Sequence, residues 1–245
     1  MSKVFYAGDH IMLMTDYKTP DIHKHLATHM IVSLGGSMEW IVEDEKVICQ
    51  GICIGSNIRH TGSMPKEGTL VLLFSNVSRL GQSFKKEYLK EQPYTIISET
   101  QVDEIRQVYE RWKELPKRLD LEIVKLCHLT AKEATGYDLR VEKAIEYLKE
   151  APSIGNDIFK ELSQEACLSK CRLSHLFKEE TGMSLHSYIA LLKLEKTFDY
   201  IKKGSSITMA SMEAGFDSPS HCAATSKRMF GISIREFHKS LEHSV

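Results

Sequence analysis

Leu168-Ser-Lys-Cys-Arg-Leu-Ser-His-Leu-Phe-Lys-Glu-Glu-Thr-Gly-Met-Ser is the stretch whose reading decides the fold. Ser169 stands where a helix N-cap belongs, Leu173, Leu176 and Phe177 fall on one helical face, and Gly182 supplies a left-handed stop. The opposite face carries Lys170, Cys171, Arg172, Ser174, His175 and Lys178. Upstream, Asn156 or Asp157 is placed to cap a helix running to about Glu165, with Ala166-Cys167-Leu168 as the turn. Two helices joined by so short a turn form a helix-turn-helix.

The unit occurs twice. At a fixed offset of 49 residues Ile158 aligns with Ile207, Ser169 with Ser218, Lys178 with Lys227, Gly182-Met-Ser-Leu with Gly231-Ile-Ser-Ile, and Tyr188 with Phe237. In the second copy Ser206 caps a helix to Ala214, Gly215-Phe216-Asp217 turns the chain, and Ser218-Pro219 places an N-cap before a proline at the first helical position. Between the copies, 184–203 is an unbroken helical pattern stopped by Gly204. About twenty residues at 1.5 Å each make a rod of roughly 30 Å, close to the roughly 34 Å of one B-DNA turn. One chain is thereby expected to set two recognition helices into successive major grooves.

Charge over the whole chain does not announce a nucleic-acid binder, since 32 basic residues against 33 acidic ones leave a net charge of -1. Resolved by segment, 170–239 holds eleven basic and seven acidic residues, an excess of four. Helical spacing directs Lys170, Arg172, Lys178, Lys227 and Arg228 toward phosphates or base edges. Composition alone would favour solvated helical faces; the repeat and its caps favour a basic reading face.

The 245 residues suit two compact domains. From Val4 to about Ser78 the chain runs in short β-branched segments, among them His29-Met-Ile-Val-Ser-Leu, Met38-Glu-Trp-Ile-Val-Glu and Thr69-Leu-Val-Leu-Leu-Phe. Turn residues such as Gly35-Gly36 and Gly55-Ser56-Asn57 separate them, predicting an all-β sandwich or barrel. Val102, Ile105, Val108, Tyr109 and Trp112, then Leu119, Ile123 and Leu126, predict a helical hairpin broken at Pro116. It is placed to cover a sheet face or to form a dimer interface. The strongest apolar run, Leu70 to Phe74, is strand-sized, so no membrane partner is expected. An N-terminus without an apolar export segment points to the cytoplasm. Six cysteines then read as buried or reactive thiols rather than a disulfide framework, and the C-x3-C spacing of Cys49/Cys53 and Cys167/Cys171 fits structural zinc poorly.

The stretch 168–184, together with Ala214-Gly-Phe-Asp-Ser-Pro-Ser-His and Lys227-Arg-Met-Phe-Gly-Ile-Ser, resembles the AraC/XylS family of bacterial transcription regulators. The similarity covers roughly 138–240. It implies two helix-turn-helix subdomains on a linker helix, double-stranded promoter DNA as partner, and activation through RNA polymerase. By motif position the base-reading face falls on Cys171, Ser174 and His175 in the first unit, and on Pro219, Ser220, Ala223 and Ala224 beside His221 in the second. Two departures stand out: Cys222 and Ser226 occupy core positions where the family commonly has Phe. The second unit is therefore expected to pack less tightly and to hold phosphate through Lys227 and Arg228, leaving most specificity to the first.

His23, His25, His29, Gly36 and His60 make a pattern that looks like the cupin barrel, whose first motif is HxH, then an acidic residue, then Gly; here His29 takes the acidic position. Positions 23, 25 and 29 are expected on one face of a strand. The likeness covers about 20–76 and implies a small jelly-roll sensor. Three readings stand open for the histidines: a divalent transition metal, a metal-free small-molecule pocket, or structural packing.

The expected fold is thus α+β with two domains: an N-terminal cupin-like β-barrel (jelly roll) with a helical hairpin, and a C-terminal all-α double helix-turn-helix. The expected segments are 1–96 for the sensor and 97–136 for the hairpin as dimerisation element and linker. The DNA-binding domain takes 137–245, with units at about 157–182 and 206–231 joined by helix 184–203. The expected function is an effector-responsive DNA-binding regulator, a dimeric activator and not an enzyme. The alternatives are a metal-dependent cupin enzyme with a helical interaction module, or a thiol redox sensor acting through Cys171 and Cys222.

Overall fold

The computed structural model describes residues 3–7, 10–15, 22–130, 136–151, 154–155, 157–230, 233–235 and 238. Two compact units result, one from the N-terminal side up to 134 and one spanning 135–239.

The first unit opens with β1 (Lys3–Tyr6), β2 (His10–Thr15), β3 (Thr28–Ser33), β4 (Met38–Val42), β5 (Glu45–Cys49), β6 (Gly51–Ile54), β7 (His60–Ser63) and β8 (Thr69–Phe74). There follow α1 (Arg79–Phe84), a π-helical turn (Lys85–Leu89), β9 (Tyr94–Ile96), α2 (Glu99–Trp112) and α3 (Pro116–Leu126). The strands form two antiparallel sheets, one ordered β1-β2-β8-β3-β6-β9 and one ordered β5-β4-β7. The expected jelly-roll unit takes the form of a pair of sheets, with no closed barrel among the described residues. No strand ladder joins β1 or β9 to the three-stranded sheet among the described residues.

Burial explains the layering. β3 and β8 are buried at every position, as central strands covered on both faces must be, whereas β4 alternates buried and exposed. Met12, Met30, Val32, Leu70, Leu72 and Phe74 share one core with Val102 and Ile105 of α2 and Leu119 and Ile123 of α3. The hairpin therefore covers the outer face of the large sheet. Because strand side chains alternate, His29 and Ile31 point the other way, into the space faced by Trp40 of β4. Gly62 pairs across from Trp40, and a Cβ there would lie 2.5 Å from the indole ring, so only glycine lets the ring lie flat on β7. Pro116 occupies the first turn of α3 rather than the gap before it, where its missing N–H costs nothing. One buried polar link spans the layers: His10 Nε2 of β2 lies 2.6 Å from Asp120 Oδ1 of α3.

The second unit holds α4 (Leu139–Glu150), α5 (Ile158–Glu165), α6 (Lys170–Thr181), α7 (Leu185–Lys202), α8 (Ile207–Glu213) and α9 (Pro219–Phe230). Pairs α5/α6 and α8/α9 are the two helix-turn-helix copies. Eighteen residues make α7 about 27 Å long. It is buried at nine positions distributed around its circumference, including Leu185, Tyr188, Leu191, Leu194, Phe198 and Ile201, so it is the shared core rather than a solvent-bridging rod.

Capping follows the serines. Ser169, Ser184 and Ser206 each accept from a backbone N–H three residues on, and Ser218 Oγ accepts from His221 N–H at 3.1 Å. Asp157 departs from expectation: it sits in helical conformation at the start of α5 and makes no side-chain cap, while Asn156 lies outside the described residues. The fixed offset of 49 also needs correction. Both first helices end in a Schellman arrangement, with Leu168 N–H donating to Ser163 O and Phe216 N–H to Ser211 O, an offset of 48. The second copy recovers the missing residue in its turn, so Cys167 (φ 50°) and Gly215 (φ 89°) are the structural equivalents. Gly231 and Phe237, which carried part of the repeat, lie outside the described residues.

Candidate nucleic-acid interface and histidine cluster

On α6 the structure separates the predicted faces cleanly. Leu173, Leu176 and Phe177 are buried, Lys170, Cys171, Arg172, His175 and Lys178 are exposed, and Ser174 is half-buried. Ser174 spends its proton on Lys170 O at 2.8 Å, which leaves its oxygen as an acceptor only. On α9, Ser220, His221, Ala224, Lys227 and Arg228 are exposed, and Pro219 and Ala223 are half-buried. His221 Nδ1 lies 3.2 Å from Asp217 Oδ2 and its ring stands edge-on to Phe216, so it is oriented by its own turn. Lys178, Lys227 and Arg228 also occupy the last turns of their helices, where a cation offsets the macrodipole.

Not all of the local positive excess is available to a partner. Lys193 Nζ donates to Gly215 O, and burial lowers its pKa; Lys196 Nζ donates to Ala151 O. These two lysines brace the turns, and the exposed cations left on the reading helices are Lys170, Arg172, Lys178, Lys227 and Arg228.

His23, His25, His29 and His60 of the first unit do come together, although not from one strand. His29 belongs to β3 and His60 to β7. His23 pairs with His60 as an isolated bridge through mutual N–H to O bonds of 3.0 and 2.9 Å. His25 lies outside any strand, its carbonyl accepting from Asn57 N–H. Ring centroids are 4.6 Å apart for His23 and His60, 4.0 Å for His25 and His29, and 5.0 Å for His29 and His60. His25 Nε2 and His29 Nε2 approach to 2.7 Å, so one donates and the other accepts. His60 Nδ1 lies 2.8 Å from Ile58 O, to which it must donate, leaving the Nε2 lone pair toward its neighbours. Burial, reinforced by the neighbouring imidazoles, holds His25 and His29 well below the usual histidine pKa, and burial brings His60 down to about 4. His25, His29 and His60 are therefore neutral at pH 7.

The nearby carboxylates face outward. Glu39 is paired with Lys46 at 2.9 Å, Glu43 Oε1 accepts from Arg59 N–H, and Glu45 accepts from the Tyr94 hydroxyl. Sequence reasoning missed Trp40, whose ring centroid is 6.2 Å from that of His60 and whose buried Nε1 has no hydrogen-bond partner. Nothing in the spacing of strands reveals which interior aromatic meets the histidines. A separate cleft of about 530 Å³ lies along the α2/α3 hairpin, lined by Ser98, Gln101, Glu104, Glu122, Lys125 and His128 among others.

With this geometry in view, known proteins supply the comparison. Residues 162–240 match the helix-turn-helix domain family. The arabinose operon regulatory protein of Escherichia coli (strain K12) is 29% identical over 113 residues, 44% of this chain and 37% of that protein. This unit is a helix-turn-helix domain similar to that of an AraC-type regulator. The chain spans little more than a third of the length of the relative it matches. Over nearly the whole chain the two-domain fold is shared with ToxT of Vibrio cholerae. The apo protein gives a TM-score of 0.60 at 13% identity, covering 95% of this chain and 98% of that one. ToxT bound to (E)-4-(8-methylnaphthalen-1-yl)but-3-enoic acid gives 0.55 at 15% identity, covering 98% of each.

Within the second helix-turn-helix copy, Cys222 and Ser226 do occupy core positions: both side chains are fully buried. The Cys222 thiol lies 3.9 Å from Thr197 Oγ1 of α7, and burial raises its pKa. Cys222 is thereby a poor oxidant target, whereas Cys167 and Cys171 are exposed thiols; all six cysteines are free. Met209 and Met212 of α8 are 55% and 50% exposed, an apolar pair on the first helix of the second copy.

Proposed function

We propose that the chain is an effector-responsive transcription regulator. In this reading α6 and α9 enter successive major grooves of double-stranded promoter DNA, and the β-sheet unit senses a small molecule or metal. The observation that carries the reading is the pair of capped helices on a common buried α7, each presenting exposed cations and short polar groups on the side away from its core. Activation through RNA polymerase, a homodimer and a cytoplasmic site of action belong to the same proposal. The enzyme alternative is disfavoured because Glu39, Glu43 and Glu45, the carboxylates nearest the histidines in sequence, are each engaged by other partners on the outer surface.

The test is binding to a mapped operator over a range of salt. Affinity is expected to fall steeply as salt rises, because each neutralised phosphate releases counterions. Arg172→Ala and His175→Ala are expected to weaken specific binding roughly tenfold or more and to flatten discrimination among operator variants, at about 1–3 kcal/mol per lost base contact. Ser220→Ala should change little. A salt-independent affinity, or loss of discrimination through Ser220 alone, overturns the assignment.

A further inference from the structure

Sulfur gathers in the core of the first unit, beneath the end of α3. Met30 of β3 and Cys53 of β6 are partners across the antiparallel ladder, so their side chains lie side by side on the face of the large sheet that the hairpin covers. Cys127, the residue that closes α3, descends onto them, and its thiol donates to Met30 Sδ at 3.9 Å. All three side chains are buried. Burial, and then the neighbouring Cys127, pushes the Cys53 thiol well above its ordinary pKa, and burial pushes Cys127 up to about 11, so both are protonated at pH 7. Two thiols and a thioether thus converge from three elements far apart in sequence.

We propose that Met30, Cys53 and Cys127 form a three-sulfur site for a soft monovalent metal ion, Cu⁺ first among them. Donor type sets the choice: thiolate and thioether sulfur together select Cu⁺, whereas zinc takes thiolate, imidazole and carboxylate, and magnesium and calcium take oxygen. Size agrees. A trigonal ion with metal–sulfur bonds of about 2.3 Å, the zinc–thiolate length, holds its sulfurs about 4.0 Å apart, and Cys127 and Met30 already stand at 3.9 Å. The proton balance agrees as well. The ion takes the place of a thiol proton, which passes to solvent, and the burial that disfavours a bare thiolate favours one neutralised by a cation. Access runs through the cleft along the hairpin, which is lined by Leu126 and His128 on either side of Cys127. An ion so held joins the C-terminal end of α3 to two strands of the large sheet, a link that apolar packing otherwise makes.

This inference rests on the core of the first unit and not on DNA binding. The test is anaerobic titration with Cu⁺ against a chromophoric chelator, on full-length protein without a histidine tag and with the exposed thiols removed by Cys167→Ser/Cys171→Ser. One equivalent per chain that resists the chelator is expected, with its loss when Cys53→Ala/Cys127→Ala is added. X-ray absorption at the copper edge is expected to show three sulfur neighbours, falling to two in Met30→Leu, which conserves core volume. No bound copper, copper retained in the folded Cys53→Ala/Cys127→Ala protein, or a nitrogen shell that places the ion on the histidines overturns the proposal. If that protein does not fold, the sulfur count with and without Met30→Leu decides: a fall from three to two supports the site, and an unchanged count overturns it. A chain that binds its operator but takes up no copper refutes this site alone; one that holds copper but binds no DNA refutes the regulator reading alone.

Discussion

Gly215→Ala is expected to destabilise the C-terminal unit by on the order of 3 kcal/mol, shifting its folding equilibrium about a hundredfold and removing operator binding with it. Gly215 has φ 89°, beyond the left-handed region that side chains tolerate, and a Cβ there would meet Ile154 O at 2.4 Å. That oxygen belongs to a fully buried residue in the link between α4 and α5, so it cannot swing aside as a side chain would. The Gly215 carbonyl is also the acceptor for Lys193, so any rotation that relieves the clash breaks the brace. The sister position gives the control. Cys167 has φ 50° and is exposed, and Cys167→Ala should change stability by less than about 1 kcal/mol. Both tryptophans of the chain, Trp40 and Trp112, lie in the first unit. Gly215→Ala should therefore lower the helical circular dichroism signal while tryptophan fluorescence stays native. A neutral result would mean that the second turn does not have the described conformation.

Asp120→Ala should act on the other unit, lowering its stability by up to about 3 kcal/mol, the usual consequence of removing one partner from a buried hydrogen bond. His10 and Asp120 are 5% and 6% exposed, and their 2.6 Å contact ties β2 to α3. The His10 ring is further held by stacking on Phe74 at 5.4 Å. Truncating the carboxylate leaves the imidazole facing a cavity with its bond unmade. Asp120→Asn retains the shape and one hydrogen bond, and should lose closer to 1 kcal/mol. Denaturant midpoints followed by tryptophan fluorescence measure both. Equal effects of Ala and Asn would show that volume rather than pairing matters at this position.

The pair also marks where sequence reading stops. His10 and Asp120 are separated by 110 positions, and neither lies in a pattern that asks for the other. Local signals travelled further. The serine caps, the apolar stripe of α6 and the stop at Gly182 are decided within a dozen residues, and the structure places each as the pattern implies. The hairpin helices were legible for the same reason, whereas β9 and the π-helical turn, short and without periodicity, were not. The histidine cluster falls between these cases. HxH announced that imidazoles would gather, but alternation suggested one strand, and convergence in fact needs a non-strand segment, β3 and β7. The repeat was visible at 49 residues, while the compensating shift in the turn was not, because an exposed Cys167 in left-handed conformation carries no sequence mark.

Burial around the whole of α7 has a further consequence. A helix whose apolar positions face both copies cannot release one of them and remain solvated on that side, so local opening of either copy exposes the shared helix. The backbone amides of α7 are therefore expected to exchange with solvent only when the entire domain opens, with the two copies behaving as one cooperative unit. The second copy, with Cys222 and Ser226 buried in its core, is then expected to unfold together with the first, and the spacing between α6 and α9 to persist until the domain as a whole opens.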